Sequence, residues 1–288
     1  QRGEPLIYEG LKAHTNAKLL IGPWTHLQGS FGEGFPADGV PDLASIRLAW
    51  FDHYLKGMDT SADSYPPVTQ YYKGSERYVT ASDWPHPEAH AETFYLHGKP
   101  LLPLLGTITR QAPGASYQTS LLQTPLNGLC SASASQWTAG VLGMITPPCA
   151  EQDNLTNLLE AVYTSEPLPE AMAINGPITG QIWASTTAFD TNVTVRISVV
   201  DENGIARPLT HGIQMASMSA NDPERARYMD NKLIQPWHPY SAESRQTITP
   251  FKPFLADVEV FPTSAVIAAG ERLRVSVGAS DLPHGISP

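Results

Sequence analysis

The chain is short of positive charge, of cysteine and of long apolar runs. Its 288 residues hold 18 Lys and Arg against 28 Asp and Glu, which gives a formal net charge of −10. Proteins hold nucleic-acid phosphates mainly with Lys and Arg, so this balance argues against a DNA or RNA partner. No stretch of about 18 apolar residues occurs, so we expect neither a transmembrane helix nor a membrane partner, and no leader peptide is visible.

The two cysteines, Cys130 and Cys149, have a spacing unlike that of a zinc site. They could form one disulfide that closes a loop of about 20 residues, worth about 3 kcal/mol in the chain-entropy account. Two buried free thiols are the alternative. Gly, Ser and Pro surround both residues and indicate a surface loop, which favours the bridge. A bridge would favour an extracytoplasmic location, and free thiols a cytoplasmic one.

From residue 65 onward the sequence alternates apolar and polar residues, with 26 prolines and 22 glycines spread along the chain. This pattern is typical of short strands separated by turns, as in a β-sandwich or jelly roll. Asn203 and Gly204 form a strong tight-turn signal. The alternating sets lie at residues 178–184, 193–199, 258–260 and 273–277.

The first 57 residues follow a different pattern. Residues 4–15 have a moderate helical period, and residues 18–21 form a compact apolar run that predicts one buried strand of a parallel sheet. Residues 41–56 predict a helix with Asp42 as N-cap and Gly57 at the C′ position. We place the boundary near residues 58–66, so the predicted domains are 1–64 and 65–288.

Residues 22–26, Gly-Pro-Trp-Thr-His, follow this predicted strand directly. Loops at the carboxyl ends of parallel strands meet at one edge of the sheet, where distant residues can form one site. A histidine at this position is where an α/β-hydrolase places its general base. His26 is therefore the candidate catalytic residue.

A series of short motifs, in the same order along the chain, resembles the cocaine-esterase and X-prolyl dipeptidyl peptidase group of serine hydrolases. The motifs lie at residues 21–26, 48–57, 68–72, 84–85, 94–96, 163–168, 176–177, 201–204, 209–212 and 279–283. The resemblance implies a mainly β fold: a jelly-roll β-sandwich preceded by the C-terminal fragment of an α/β-hydrolase domain.

The resemblance also implies a Ser–His–Asp triad in which His26 takes the serine proton and returns it to the leaving group. The family's serine lies far upstream and its aspartate shortly before the histidine, and neither has a match in this chain. We therefore expect a part of an enzyme that cleaves acyl esters, or X-Pro and amino-acid amides, and that is inactive by itself. Ester cleavage is the favoured alternative, and the implied partners are a small-molecule substrate and the missing N-terminal hydrolase portion.

Several other residues resemble catalytic or substrate-binding residues, but a simpler interpretation fits each of them. Residues 114–119 partly resemble the family's serine motif but lack its second glycine and follow His26. Trp24 could contact substrate, although packing beside His26 is the simpler interpretation. Asp52 and His53 are adjacent on a predicted helix, where neighbouring side chains diverge, so they do not form a dyad.

The sequence indicates no cofactor and no metal site. His86 and His90 are four residues apart, but Pro85 and Pro87 oppose the helix that this spacing needs. The scattered histidines His211, His238 and His284 are interpreted as surface or hydrogen-bonded structural residues.

An alternative function is a stand-alone jelly-roll module that binds carbohydrate or a protein partner, and a homo-oligomer is possible. The first 57 residues oppose this alternative. An apolar parallel strand and an amphipathic helix normally pack against a larger sheet, which a stand-alone binding module would lack. An uncovered strand edge would also promote aggregation.

Overall fold

The structure is a computed structural model that describes residues 2–24, 29, 32, 34, 38–99, 102–124 and 127–285. The chain divides into two compact units. Unit one comprises residues 1–89 with 173–176 and 264–266, and unit two comprises the remainder. Unit one thus extends to residue 89, and the domain boundary after residue 64 stays a prediction.

The described part of unit one contains two helices and a small sheet. Its elements are α1 (Gly3–Leu11), β1 (Leu19–Ile21), α2 (Leu43–Lys56), a 3-10 turn (Ser61–Ser64), β2 (Val68–Tyr72) and β3 (Arg77–Ala81). Strand β1 pairs in parallel with β2, and β2 pairs antiparallel with β3. The predicted parallel-sheet strand is confirmed, whereas the first helix ends at Leu11 rather than at residue 15.

Helix α2 begins and ends where its local sequence predicts. The Asp42 carboxylate accepts a hydrogen bond from the Ser45 backbone N–H at 2.8 Å, which satisfies one of the unpaired donors of the first turn. Gly57 has φ of 69°, the left-handed conformation that ends many helices and that glycine adopts without a Cβ clash.

The same helix directs much of its apolar surface away from the described core. Leu48, Phe51 and Leu55 are 60%, 55% and 76% exposed. Their i, i+3, i+7 spacing puts them on one face, here called the apolar stripe. None of the residues of α2 is fully buried.

Unit two is built on a six-stranded sheet and a two-stranded ribbon. The sheet has the order β4-β5-β6-β13-β8-β9, and the ribbon is β7 with β12. Neighbouring strands of the sheet are antiparallel except β5 and β6, which are parallel. A short hairpin, β10 with β11, completes the described strands. The strands are β4 (Tyr95–Lys99), β5 (Leu102–Thr109), β6 (Ala161–Thr164), β7 (Met172–Ala184), β8 (Asn192–Val200), β9 (Ala206–Met215), β10 (Arg227–Met229), β11 (Lys232–Gln235), β12 (Phe254–Ile267) and β13 (Arg272–Gly278).

The ribbon packs against the sheet through glycines. A Cβ at Gly180 of β7 would lie 2.9 Å from Val195 of β8, and one at Gly212 of β9 would lie 2.1 Å from the Glu259 carbonyl oxygen of β12. Glycine at these two positions therefore permits close approach of the layers. The result is the mainly β, sandwich-like fold that the alternating sequence predicts.

A segment rich in short helices connects β5 to β6. Its helices are α3 (Ala132–Trp137), α4 (Val141–Ile145), α5 (Pro147–Glu151) and α6 (Asn154–Asn157). Cys130 and Cys149 form a disulfide across it, with their Cα atoms 4.4 Å apart. We call residues 127–160 the disulfide segment. No helix within the described ranges is long and apolar enough to cross a membrane.

Changing both Cys130 and Cys149 to Ser should lower the free energy of unfolding by about 3 kcal/mol, because the unfolded chain regains the entropy of the open loop. Urea denaturation with and without reductant measures this change. Reductant should lower the midpoint of the native chain and leave that of the double variant unchanged. A native midpoint that does not respond to strong reductant would contradict the bridge.

Candidate functional site

The approach to His26 is described as far as Trp24, and His26 itself lies outside the described residues. Strand β1 ends at Ile21, and residues 22–24 continue from its carboxyl end. The catalytic role of His26 therefore stays a prediction.

Trp24 folds back onto unit one. Its ring centroid lies 6.3 Å from that of Tyr78, and it packs against the small cluster that contains Val40, Tyr71 and Tyr78. A Cβ at Gly22 would lie 2.1 Å from the indole, so the indole covers a position that has room only for glycine. Packing accounts for this side chain, and contact of Trp24 with a substrate stays a prediction.

Asp52 and His53 turn to different partners, as expected for adjacent helical residues. The Asp52 carboxylate accepts from Lys56 at 2.6 Å. His53 Nε2 lies 3.1 Å from the Asp63 carboxylate. A hydrogen bond from the Tyr54 hydroxyl, with a smaller effect from His53, lowers the pKa of Asp63 below its usual value. These contacts stabilise the C-terminal end of α2, and Asp52 and His53 do not form a catalytic dyad.

Residues 114–119 lie in an irregular loop after β5, without the strand–turn–helix of a nucleophile elbow. Together with Tyr163 and Trp183, this loop lines a surface depression of about 570 Å³. The Trp183 side chain is 71% exposed there. The depression thus offers aromatic surface for stacking and no arrangement for acyl transfer among its described residues.

Unit two holds a buried cluster of charges that the sequence pattern did not reveal. The Arg196 guanidinium of β8 donates to Glu160 at 2.9 Å and to Asp281 at 2.5 Å. All three side chains are almost completely buried. Ser276 donates to the second oxygen of Glu160 at 2.5 Å, and Asn127 donates to the first oxygen at 3.2 Å.

In this cluster, each charged group favours the ionised form of its oppositely charged partner. Burial raises the pKa of Glu160, and the charge of Arg196 opposes that shift. Burial by itself would lower the pKa of Arg196, but the Glu160 and Asp281 charges raise it above its usual value. The guanidinium therefore stays charged in the interior, where a charge without a partner costs several kcal/mol.

Two histidines adjoin this cluster. His211 of β9 stands directly opposite Arg196 of β8, and opposed residues of an antiparallel pair share a face. The ligand atoms of His211, Asp281 and His284 lie within 4.8 Å of one another. Burial lowers the pKa of His284 below its usual value near 6.5; Asp281 opposes this shift and Arg196 adds to it. Sequence reasoning missed this grouping because His211 is far from the other two along the chain.

The fold defines a class: a sandwich-like β domain that follows a short parallel-strand segment. Residues 60–288 match the family described as the X-Pro dipeptidyl-peptidase C-terminal non-catalytic domain, and the chain belongs to this family.

Relatives of the chain include named esterases. Cocaine esterase of Rhodococcus sp. is 24% identical over 293 residues, which covers 98% of this chain and 47% of the esterase. A serine esterase of Mycobacterium bovis is 25% identical over 272 residues, 92% of this chain and 41% of that protein. The chain thus spans less than half the length of these relatives.

A solved structure of an alpha-amino acid ester hydrolase has a TM-score of 0.69 with this chain at 18% identity, covering 97% of this chain and 45% of the hydrolase. At this identity the likeness shows the fold alone. It supports the sandwich-like arrangement derived from the strands.

Changing Arg196 to Met should lower the free energy of unfolding by about 3–5 kcal/mol, because Glu160 and Asp281 would remain buried without their cation. Chemical denaturation measures this loss. Arg207→Met is the matched control: Arg207 pairs with Glu271 at the surface, so its loss should cost about 1 kcal/mol or less. Equal effects of the two changes would contradict a stabilising role for the buried cluster.

Proposed function

We propose that this chain is the C-terminal part of a serine hydrolase that cleaves acyl esters, with His26 as its general base. The serine and the aspartate of the triad would lie outside these 288 residues. The observation that carries the proposal is β1, a parallel strand whose carboxyl end leads to His26.

Strand β1 lies at the edge of its sheet. It pairs with β2 on one side, and among the described residues it has no partner strand on the other. Parallel strands normally lie inside larger sheets covered by helices, and an open apolar edge favours aggregation. A further parallel strand beside β1 would extend this sheet. It would also bring the loop of His26 alongside other strand ends, where the triads of α/β-hydrolases form.

The apolar stripe of α2 supports the same conclusion. Leu48, Phe51 and Leu55 expose a face that a complete hydrolase domain would cover. Burying one such side chain is worth about 1.5–3 kcal/mol. The stripe is therefore suited to lie against the rest of an α/β domain.

The comparisons also support the proposal for the residues that precede the matched C-terminal domain. The alignment with cocaine esterase covers 98% of the chain, so it reaches into the residues before 60, where the match to the non-catalytic domain begins. The relatives named as esterases favour an ester substrate. The family name, which refers to X-Pro peptidases, makes an X-Pro amide the alternative substrate.

In the proposed reaction, His26 takes the proton of the serine hydroxyl as that oxygen attacks the ester carbonyl. It then gives the proton to the departing alcohol oxygen, which leaves an acyl-enzyme. Water repeats the sequence and releases the acid. The aspartate would hold the imidazole in the required tautomer and stabilise its charged form.

One observation favours the binding-module alternative. Tyr117, Tyr163 and Trp183 line the depression in unit two, and aromatic faces of this kind stack on sugars. In that case the purified chain would bind oligosaccharides, and Trp183→Ala would abolish the binding.

The test of the hydrolase proposal compares the chain with a protein extended by its upstream coding sequence. The extended protein should hydrolyse a p-nitrophenyl acyl ester faster than an X-Pro anilide, and the 288-residue chain alone should hydrolyse neither. His26→Ala in the extended protein should lower kcat by about 10⁴-fold or more, because the serine loses its base.

His14→Ala is the matched control, because His14 is an exposed histidine of the same segment. It should leave kcat unchanged. Turnover by the 288-residue chain that depends on His26, or full activity of His26→Ala in the extended protein, would refute the proposal.

Leu55→Gln tests whether the apolar stripe is covered in the complete protein. The change should cost about 2 kcal/mol of unfolding free energy in the extended protein, where the side chain is buried. It should cost less than about 0.5 kcal/mol in the isolated chain, where the side chain is exposed. Phe189→Gln, an exposed residue outside the stripe, should be neutral in both. A neutral effect of Leu55→Gln in the extended protein would show that the stripe stays uncovered.

A further inference from the structure

The grouping of His211, Asp281 and His284 has the composition of a metal site. Two imidazoles and one carboxylate are the donors that Zn²⁺ and similar ions take in proteins. One potential ligand atom from each of the three residues lies within 4.8 Å of the other two. In a tetrahedral site, ligands at about 2.0–2.2 Å from one Zn²⁺ ion lie about 3.3–3.6 Å apart, so side-chain movements of about 1.2–1.5 Å would close the site.

The orientation of Asp281 places one of its oxygens near His284. Its Oδ1 accepts from Arg196, while its Oδ2 lies 3.9 Å from His284 Nδ1. This separation is too long for a hydrogen bond, and it is suited to an ion held between the two atoms.

The surroundings hold the three side chains in place. Asp281 and His284 belong to one turn, which the Gly285 N–H closes on the Asp281 carbonyl at 2.7 Å. Phe261 stacks on the His284 ring at 5.8 Å between centroids, and Trp137 meets its edge at 5.9 Å. His211 and Asp281 are buried and His284 is partly exposed, so the site has one side toward solvent.

We propose that His211, Asp281 and His284 bind one divalent transition-metal ion, with Zn²⁺ as the representative ion, and so fasten the turn at residues 281–285 to β9. This proposal does not involve His26 and does not depend on the hydrolase proposal. Mg²⁺ and Ca²⁺ should bind poorly because they prefer sets of oxygen ligands.

Calorimetric titration of the purified 288-residue chain with Zn²⁺ tests the proposal. We expect one Zn²⁺ per chain, a rise in Tm with Zn²⁺ concentration, and no response to Mg²⁺. His284→Ala should weaken the binding by about tenfold or more, since loss of even a group that hydrogen-bonds to a metal ligand costs about 10–100-fold. His90→Ala, at an exposed histidine of unit two, should leave it unchanged. Equal binding by the native chain and His284→Ala would overturn the proposal.

A second measurement does not require His284 to be changed. Bound Ni²⁺ should quench the fluorescence of Trp137, whose ring contacts His284. Trp137→Phe, at an exposed position, should remove most of the Ni²⁺-dependent quenching. Identical fractional quenching of the native chain and Trp137→Phe would place the ion elsewhere and overturn the proposal.

Discussion

The Arg196 guanidinium joins three parts of unit two that are distant in sequence. Its side chain binds Glu160 at the end of the disulfide segment and Asp281 in the turn that follows β13. Arg196 itself belongs to β8, which lies between β13 and β9 in the sheet. A charge in the interior requires all its partners in place, because removing one leaves an uncompensated ion. All nine residues of β8 are buried, although four of them are polar. Val195 faces Gly180 of the ribbon, whereas Arg196 and Ser198 bind buried carboxylates on the other face of the strand.

Unit one is organised by a different constraint. Its small clusters bury residues such as Tyr8, Val68 and Trp84, while the apolar stripe of α2 stays exposed. A strand at the sheet edge and an uncovered apolar helix face are both costly in an isolated domain. Both features suit an element that completes a larger α/β domain, and the loop leading to His26 begins at the same strand. The packing of unit one therefore supports the same proposal as the position of His26 after β1.

The local features of this chain could be predicted from sequence, and the contacts between distant segments could not. The caps of α2 follow from Asp42 and Gly57, because capping depends on residues within one turn. The strand at β8 follows from alternation. The burial of Arg196 does not, because Glu160 and Asp281 are 36 and 85 residues away and each looks like an ordinary surface acid in its own segment. The grouping of His211 with His284 could not be predicted either, because these residues are also far apart in the sequence. The role of His26 is predicted from its place after an apolar strand and from the resemblance of the residues around it, and it stays a prediction.

The hydrolase proposal can be tested on the natural gene product, through its size and its reactivity. An antibody raised against the 288-residue chain, applied to the source cells after fluorophosphonate labelling, would detect the product and show whether it carries a reactive serine. The chain has a mass of 31.2 kDa and spans 41–47% of the two esterases compared above, so the account predicts a labelled product of roughly twice that mass. An unlabelled product of 31.2 kDa would contradict the account and favour a stand-alone binding module.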